Sequence, residues 1–141
     1  MTLINERELP LVPYEGMNLV HKRELEILNR LYTALKEKRD DSEIDRLLDE
    51  FLRDVEEHFS YEEDLMRKAH FFAYECHHGE HNRVREELRS VKERWKKKRD
   101  REELKRYFEE VFKPWISEHI LTMDTVTAQW LMRVMGGIGA L

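Results

Sequence analysis

In the stretch "CHHGEH", residues 76–81, three histidines and the only cysteine of the chain fall within six residues. His77 and His81 are four apart. On a helix this puts them about 40° apart on one face and one turn along, where both can reach one metal ion. His78 is rotated about 100° from His77 and reads as a surface residue. Cys76 precedes the face and reads as a packed or partly exposed thiol. In "HFSYE", His58 and Glu62 repeat the four-residue spacing with a carboxylate as second member. Imidazoles with carboxylates form a mixed N/O donor set suited to iron, whereas thiolate sites and all-oxygen magnesium or calcium sites have other donors.

Such residues need helices to carry them. Glycine and proline lie mostly toward the two ends, and residues 18–130 are rich in Leu, Glu, Lys and Arg, which favour helix. Apolar positions alternate three and four apart, as on a helix packed along its neighbours. The first stripe is His21, Leu25, Leu28, Tyr32 and Leu35, and the second runs from Ile44 through Leu48, Phe51, Val55, His58, Glu62 and Leu65 to Ala69. The third is His77, His81, Val84, Leu88, Val91 and Trp95. A fourth passes through Leu104, Phe108, Val111, Trp115 and His119 to Val126 and Trp130, its period slipping after Trp115. Asp41 and Ser42 are candidate caps of the second helix, and Asp100 with Glu103 resembles a capping box for the fourth. Links of a few residues make neighbouring helices antiparallel. The expected fold is all-α: an up-down-up-down antiparallel four-helix bundle (18–131), an extended N-terminal arm (1–17) and a C-terminal tail (132–141), one domain over 1–141.

Each stripe therefore carries at least one histidine. His21, His58, Glu62, His77, His81 and His119 all fall on core positions, where polar groups need hydrogen bonds or a metal. Gly79 suggests crowding or slight irregularity nearby. His70, at a helix end and off the stripe, is not a candidate.

Composition narrows the setting. Of 141 residues, 39% are charged while the net charge is only −5, so the charges are mixed in sign and give no nucleic-acid footprint. A single cysteine cannot form an intrachain disulfide, and "MTLINERELP" lacks the basic and apolar regions of a signal peptide. No apolar run approaches the roughly 20 residues of a membrane span. A cytoplasmic location is expected, with no membrane or nucleic-acid partner.

Asp124 is five residues after His119, about 140° around a straight helix, and would diverge from it. Pro114, one turn before His119, removes a backbone donor, and a kink or local widening could realign the pair.

The order His21, "HFSYE", "HHGEH" and "HILTMD" (119–124) resembles the hemerythrin family, specifically its bacterial single-domain members. "HKRELEILNRLY", "HFSYEEDLM" and "PWISEHI" extend the likeness over nearly the whole chain. The resemblance implies a centre of two non-haem Fe ions with an oxo or hydroxo bridge. It also implies Asp124 as a ligand: His77, His81 and His119 on one iron, His21 and His58 on the other, Glu62 and Asp124 shared. Phe59, Trp115 and Ile116 resemble residues that line the family's O2 pocket. Two departures stand out. The usual Asp-x-Gln run before the first histidine is "NLV", residues 18–20, and an aromatic of the N-terminal arm is replaced by the "VPY" region.

The implied activity is reversible binding of dioxygen, as carrier, storage or delivery protein and not as an enzyme, with a protein recipient of the oxygen as a candidate partner. The alternatives are an O2 or redox sensor, a di-iron peroxidase or nitric-oxide-handling protein, and a zinc-bound structural bundle. A sensor normally carries an output module, and 17 residues follow Asp124. Ferritin-like di-iron enzymes use more carboxylates, in Glu-x-x-His pairs that this core lacks. Fewer anionic ligands stabilise high-valent iron less.

Overall fold

The computed structural model describes residues 2–136. Three long helices, α1 (Glu15–Lys36), α2 (Asp41–Lys68) and α3 (Tyr74–Lys98), precede a fourth, α4 (101–135). Helix α4 alternates α-helical stretches, Arg101–Tyr107, Lys113–His119 and Thr125–Met135, with widened π-helical turns at Phe108–Phe112 and Ile120–Asp124. No strand occurs among the described residues, and the four helices form the expected bundle. No helix is long and apolar enough to cross a membrane.

The stripes of α1 and α2 are buried throughout, as expected from their spacing. On α3 the stripe is buried except for Val91, which is partly covered. On α4 the expectation fails in part. Val111 and Val126 are 43% and 44% exposed, and Trp115 and Trp130 are only partly buried. Phe112, Ile116, Ile120, Ala128 and Leu131 face the core instead. The cause is the pair of π turns: each takes up one extra residue and shifts the inward face from the straight-helix pattern. The first turn places Phe108 and Phe112 edge-on to Phe51, with ring centroids 5.5 and 5.3 Å away. Pro114, which cannot donate to the carbonyl one turn earlier, directly follows that turn.

The cap of α2 is Asp40, not Asp41 or Ser42: its carboxylate accepts from the Glu43 backbone N–H at 3.1 Å. Asp100 caps α4 in the same way, at 3.0 Å from Glu103 N. The three preceding helices end on non-glycine residues with left-handed backbone, Lys38, His70 and Arg99. His70 is thus a helix-ending residue exposed to solvent.

Helix α1 begins at Glu15, so residues 15–17 belong to the bundle and not to the segment before it. Two asparagines hold that segment. Asn29 accepts from Leu3 and Ile4 N–H and donates to Ile4 O, while Asn18 exchanges two bonds with the Val12 backbone. Ile4, Val12 and Tyr14 are buried as a result. At the other end α4 continues to Met135, beyond the expected start of the tail, and residues 137–141 lie outside the described residues.

Candidate metal centre

Seven polar side chains converge inside the bundle, toward the end where α2 passes into α3. Helix α1 contributes His21, α2 His58 and Glu62, α3 His77 and His81, and α4 His119 and Asp124, and none is more than 3% exposed. On α2 and α3 the four-residue spacing suffices to align each pair. On α4 the second π turn does the work, because a widened turn brings residues five apart onto one face. The realignment therefore lies between His119 and Asp124 themselves, not at Pro114. Two threonine hydroxyls donate to carbonyls around this turn, Thr122 to Glu118 O at 2.7 Å and Thr125 to Ile120 O at 2.8 Å.

The donors form two sets whose atoms lie within 4.8 Å of one another: Glu62, His77, His81, His119 and Asp124, and His21, His58, Glu62 and Asp124. Both carboxylates serve both sets, one oxygen to each. Glu62 Oε1 lies 3.4 and 3.3 Å from the Nε2 atoms of His77 and His81, and Asp124 Oδ1 lies 3.1 and 3.3 Å from those of His77 and His119. Glu62 Oε2 lies 3.2 and 2.7 Å from Nε2 of His21 and His58, and Asp124 Oδ2 is 3.0 Å from Nε2 of His21.

Despite this proximity, Glu62 Oε1, both Asp124 oxygens and His81 Nε2 are buried without a hydrogen-bond partner among the described residues. Buried polar atoms left so cost about 1–3 kcal/mol each. A cation at the focus of each set satisfies all of them, so the residues fit a pair of metal ions. The electrostatics agree. Burial alone would depress His21 and His77, but the carboxylates of Asp124 and Glu62 close beside them overcome it and raise both to about 9. Burial would likewise raise Glu62, yet the charge of His58, hydrogen bonds from His21 and His58, and the nearby His77 imidazole hold it well below the usual carboxylate range. Asp124 is also held low, chiefly by His119 and His21, against burial and the charge of Glu62. Without metal, protons on the imidazoles balance the two carboxylates.

Residues outside the two sets aim the imidazoles. Nδ1 of His58 donates to Glu24 Oε1 and Nδ1 of His81 to Glu63 Oε2, both at 2.9 Å, while Nδ1 of His77 lies 2.8 Å from Thr127 Oγ1. Each bond leaves Nε2 facing inward. The sequence reading missed all three. Glu24 carried a signal, since three residues after His21 it shares that stripe, and Glu63 adjoins Glu62. Thr127 carried none, because its facing depends on the π turn. His21 Nδ1 is buried without a partner among the described residues. The "NLV" run supplies none, as Asn18 is engaged with Val12.

The remaining candidates are dispersed. Phe59 stacks flat on His81, centroids 4.0 Å apart, and Trp115 stacks on His119 at 4.6 Å while its indole N–H donates to Glu80. Ile116 instead walls a small cavity of about 10 Å3 beside His21 and Glu24, with Leu25, Leu28, Phe112 and Ile120. His78 stacks on Tyr74, and Cys76 is exposed, in neither set. Gly79 has open space around it, so no crowding explains that glycine.

The hemerythrin HHE cation-binding domain matches residues 12–131, a span that holds all seven donors. A bacteriohemerythrin of Aquifex aeolicus (strain VF5) is 44% identical over 115 residues, covering 82% of this chain and 87% of the relative. The chain belongs to the hemerythrin family. No solved structure matches it. The cation-binding description of that hemerythrin domain accords with the chemistry of the donor cluster, five imidazoles and two carboxylates without a thiolate.

Proposed function

We propose that this chain holds two non-haem iron ions and binds dioxygen reversibly at one of them. The observation that carries the reading is the unequal division of donors. Five protein atoms converge on one focus, from His77, His81, His119, Glu62 and Asp124, but only four on the other, from His21, His58, Glu62 and Asp124. Because Glu62 and Asp124 each face both sets, an ion at the two-histidine position would have a coordination place more to offer an exogenous ligand. It is also the position beside the cavity walled by Ile116. Held by the two donor sets, a ferrous pair would supply the two electrons that reversible uptake of O2 requires.

The chain's own residues set the conditions. Glu24 orients His58, while Ile116, Ile120 and Phe112 give the space next to His21 an apolar wall. Five imidazoles against two carboxylates give a less anionic set than oxygen-activating di-iron enzymes use, which supports a carrier, storage or delivery role over catalysis.

The test is iron analysis with absorption spectra over repeated cycles of air and vacuum. Two irons per chain and a coloured band that appears and fades with O2 are expected. One metal per chain, zinc in place of iron after iron-replete expression, or irreversible oxidation with turnover of an added reductant would overturn the reading.

A further inference from the structure

We infer that Arg85 is a positioning residue for the metal position of His77, His81 and His119, acting on His81 through Glu63 and Phe59. This rests on the two-metal reading above. Arg85 lies on α3 one turn after His81, with its side chain 20% exposed. Its Nη1 and Nη2 donate to Glu63 at 2.8 and 3.1 Å, its Nε and Nη2 to Glu56 at 2.8 and 3.2 Å, and its Nη1 also to Asn82 at 2.8 Å. One bond from Nε and two from each terminal nitrogen use all five N–H groups of a guanidinium.

Both groups that contact the His81 ring from outside the donor cluster are thereby fixed. Glu63, which accepts from His81 Nδ1, is gripped by two parallel bonds, and the guanidinium sits 5.3 Å over the Phe59 ring that stacks on His81. His81, Glu63, Arg85 and Phe59 form a closed circuit. The guanidinium charge also offsets the carboxylate that would otherwise swing toward solvent. The planar fork matters, because a lysine ammonium can replace the charge but not two parallel bonds with a stacked plane. The hydrogen-bonded part of the circuit reaches only the three-histidine position; Phe59 also lies 5.3 Å from the His58 ring, tilted by 57°, but His58 is oriented by its own hydrogen bond to Glu24.

Cobalt(II) binding to metal-free protein, by competition with a chelator and by the visible spectrum, tests this without oxygen chemistry. Wild type should bind two ions. Arg85→Met should weaken one of the two roughly 10- to 100-fold, the usual effect of losing such a supporting partner, and leave the other nearly unchanged. Arg85→Lys should recover part of the loss, and Arg89→Met, an exposed arginine paired with Glu86, should lose nothing. In a Glu63→Gln background, Arg85→Met should cost clearly less than in wild type, because the hydrogen-bonded route to His81 is already cut and only the contact through Phe59 is left. Equal weakening of both positions would mean general structural damage, and would overturn the proposal. So would no weakening, or the same loss with and without Glu63. A wild type that binds one ion refutes the two-metal reading itself, and the proposal with it.

Discussion

Removing the charge of Glu62 should cost more metal than removing a histidine outside the cluster. Each Glu62 oxygen faces a different set, so Glu62→Gln takes an anionic donor from both positions, whereas His78 stacks on Tyr74 and touches neither. Iron analysis should find Glu62→Gln depleted by at least one ion per chain and His78→Ala unchanged. The reverse result would place the centre elsewhere. The cavity beside His21 gives a second residue-scale expectation. It measures about 10 Å3, room for roughly one water, and the much larger indole in place of Ile116 would close it. Ile116→Trp should slow azide association with the oxidised protein by on the order of tenfold, while wild type takes up one azide per pair of irons. Saturation at two azides, or an unchanged rate, would remove the asymmetry between the positions.

At the scale of the element, the second π turn decides whether Asp124 can join His119. Five residues of α-helix would turn the carboxylate about 140° away, and the extra residue absorbed at Ile120–Asp124 brings it back. Deleting Leu121, which is 59% exposed, should convert the turn to ordinary helix with the two donors four apart, and leave both on one face. An alanine inserted after Leu121 should rotate one flank about 100° against the other and lose metal while far-ultraviolet circular dichroism stays helical. Metal content of the two variants checks this, and equal retention by both would show that the widened turn does not set the facing. The same turns explain why a regular three-four spacing could place His58 with Glu62 and His77 with His81, yet mistook Val111 and Val126 for core.

For the whole molecule, five imidazoles and two carboxylates buried together tie folding to protons and metal. In the metal-free protein His21 and His77 titrate near 9, above the ordinary imidazole value of 6.5. Their stabilisation is therefore complete below about pH 6.5 and is lost as pH rises through 9. Glu62 and Asp124 have depressed values, so their contribution is present above the ordinary carboxylate range and disappears in acid. Metal-free protein should accordingly be most stable between about pH 5 and 6.5 and weaken toward pH 9. Metal takes the place of those protons, so loading should stabilise more as pH rises over the same interval. Urea midpoints at pH 6 and 9, with and without a chelator, measure this. A metal-free midpoint that does not fall by pH 9 would contradict it.

By itself the sequence determined the helices, their antiparallel order, the histidines and Glu62 on inward stripes, and the likeness that included Asp124. The helices, their order and the inward stripes depend on local periodicity and short links, which neighbouring residues encode, whereas Asp124 came from the likeness alone. Tertiary structure alone decided the supporting contacts. Thr127 reaches His77 only because α4 is widened, Glu63 reaches His81 across the gap between α2 and α3, and Ile116 parts company with its sequence neighbour Trp115 to wall the cavity. A carboxylate or hydroxyl on a helix is ordinarily solvated. Whether it is instead buried against an imidazole depends on how two helices are rotated about their own axes, and in α4 that rotation is set by π turns that no three-four repeat records.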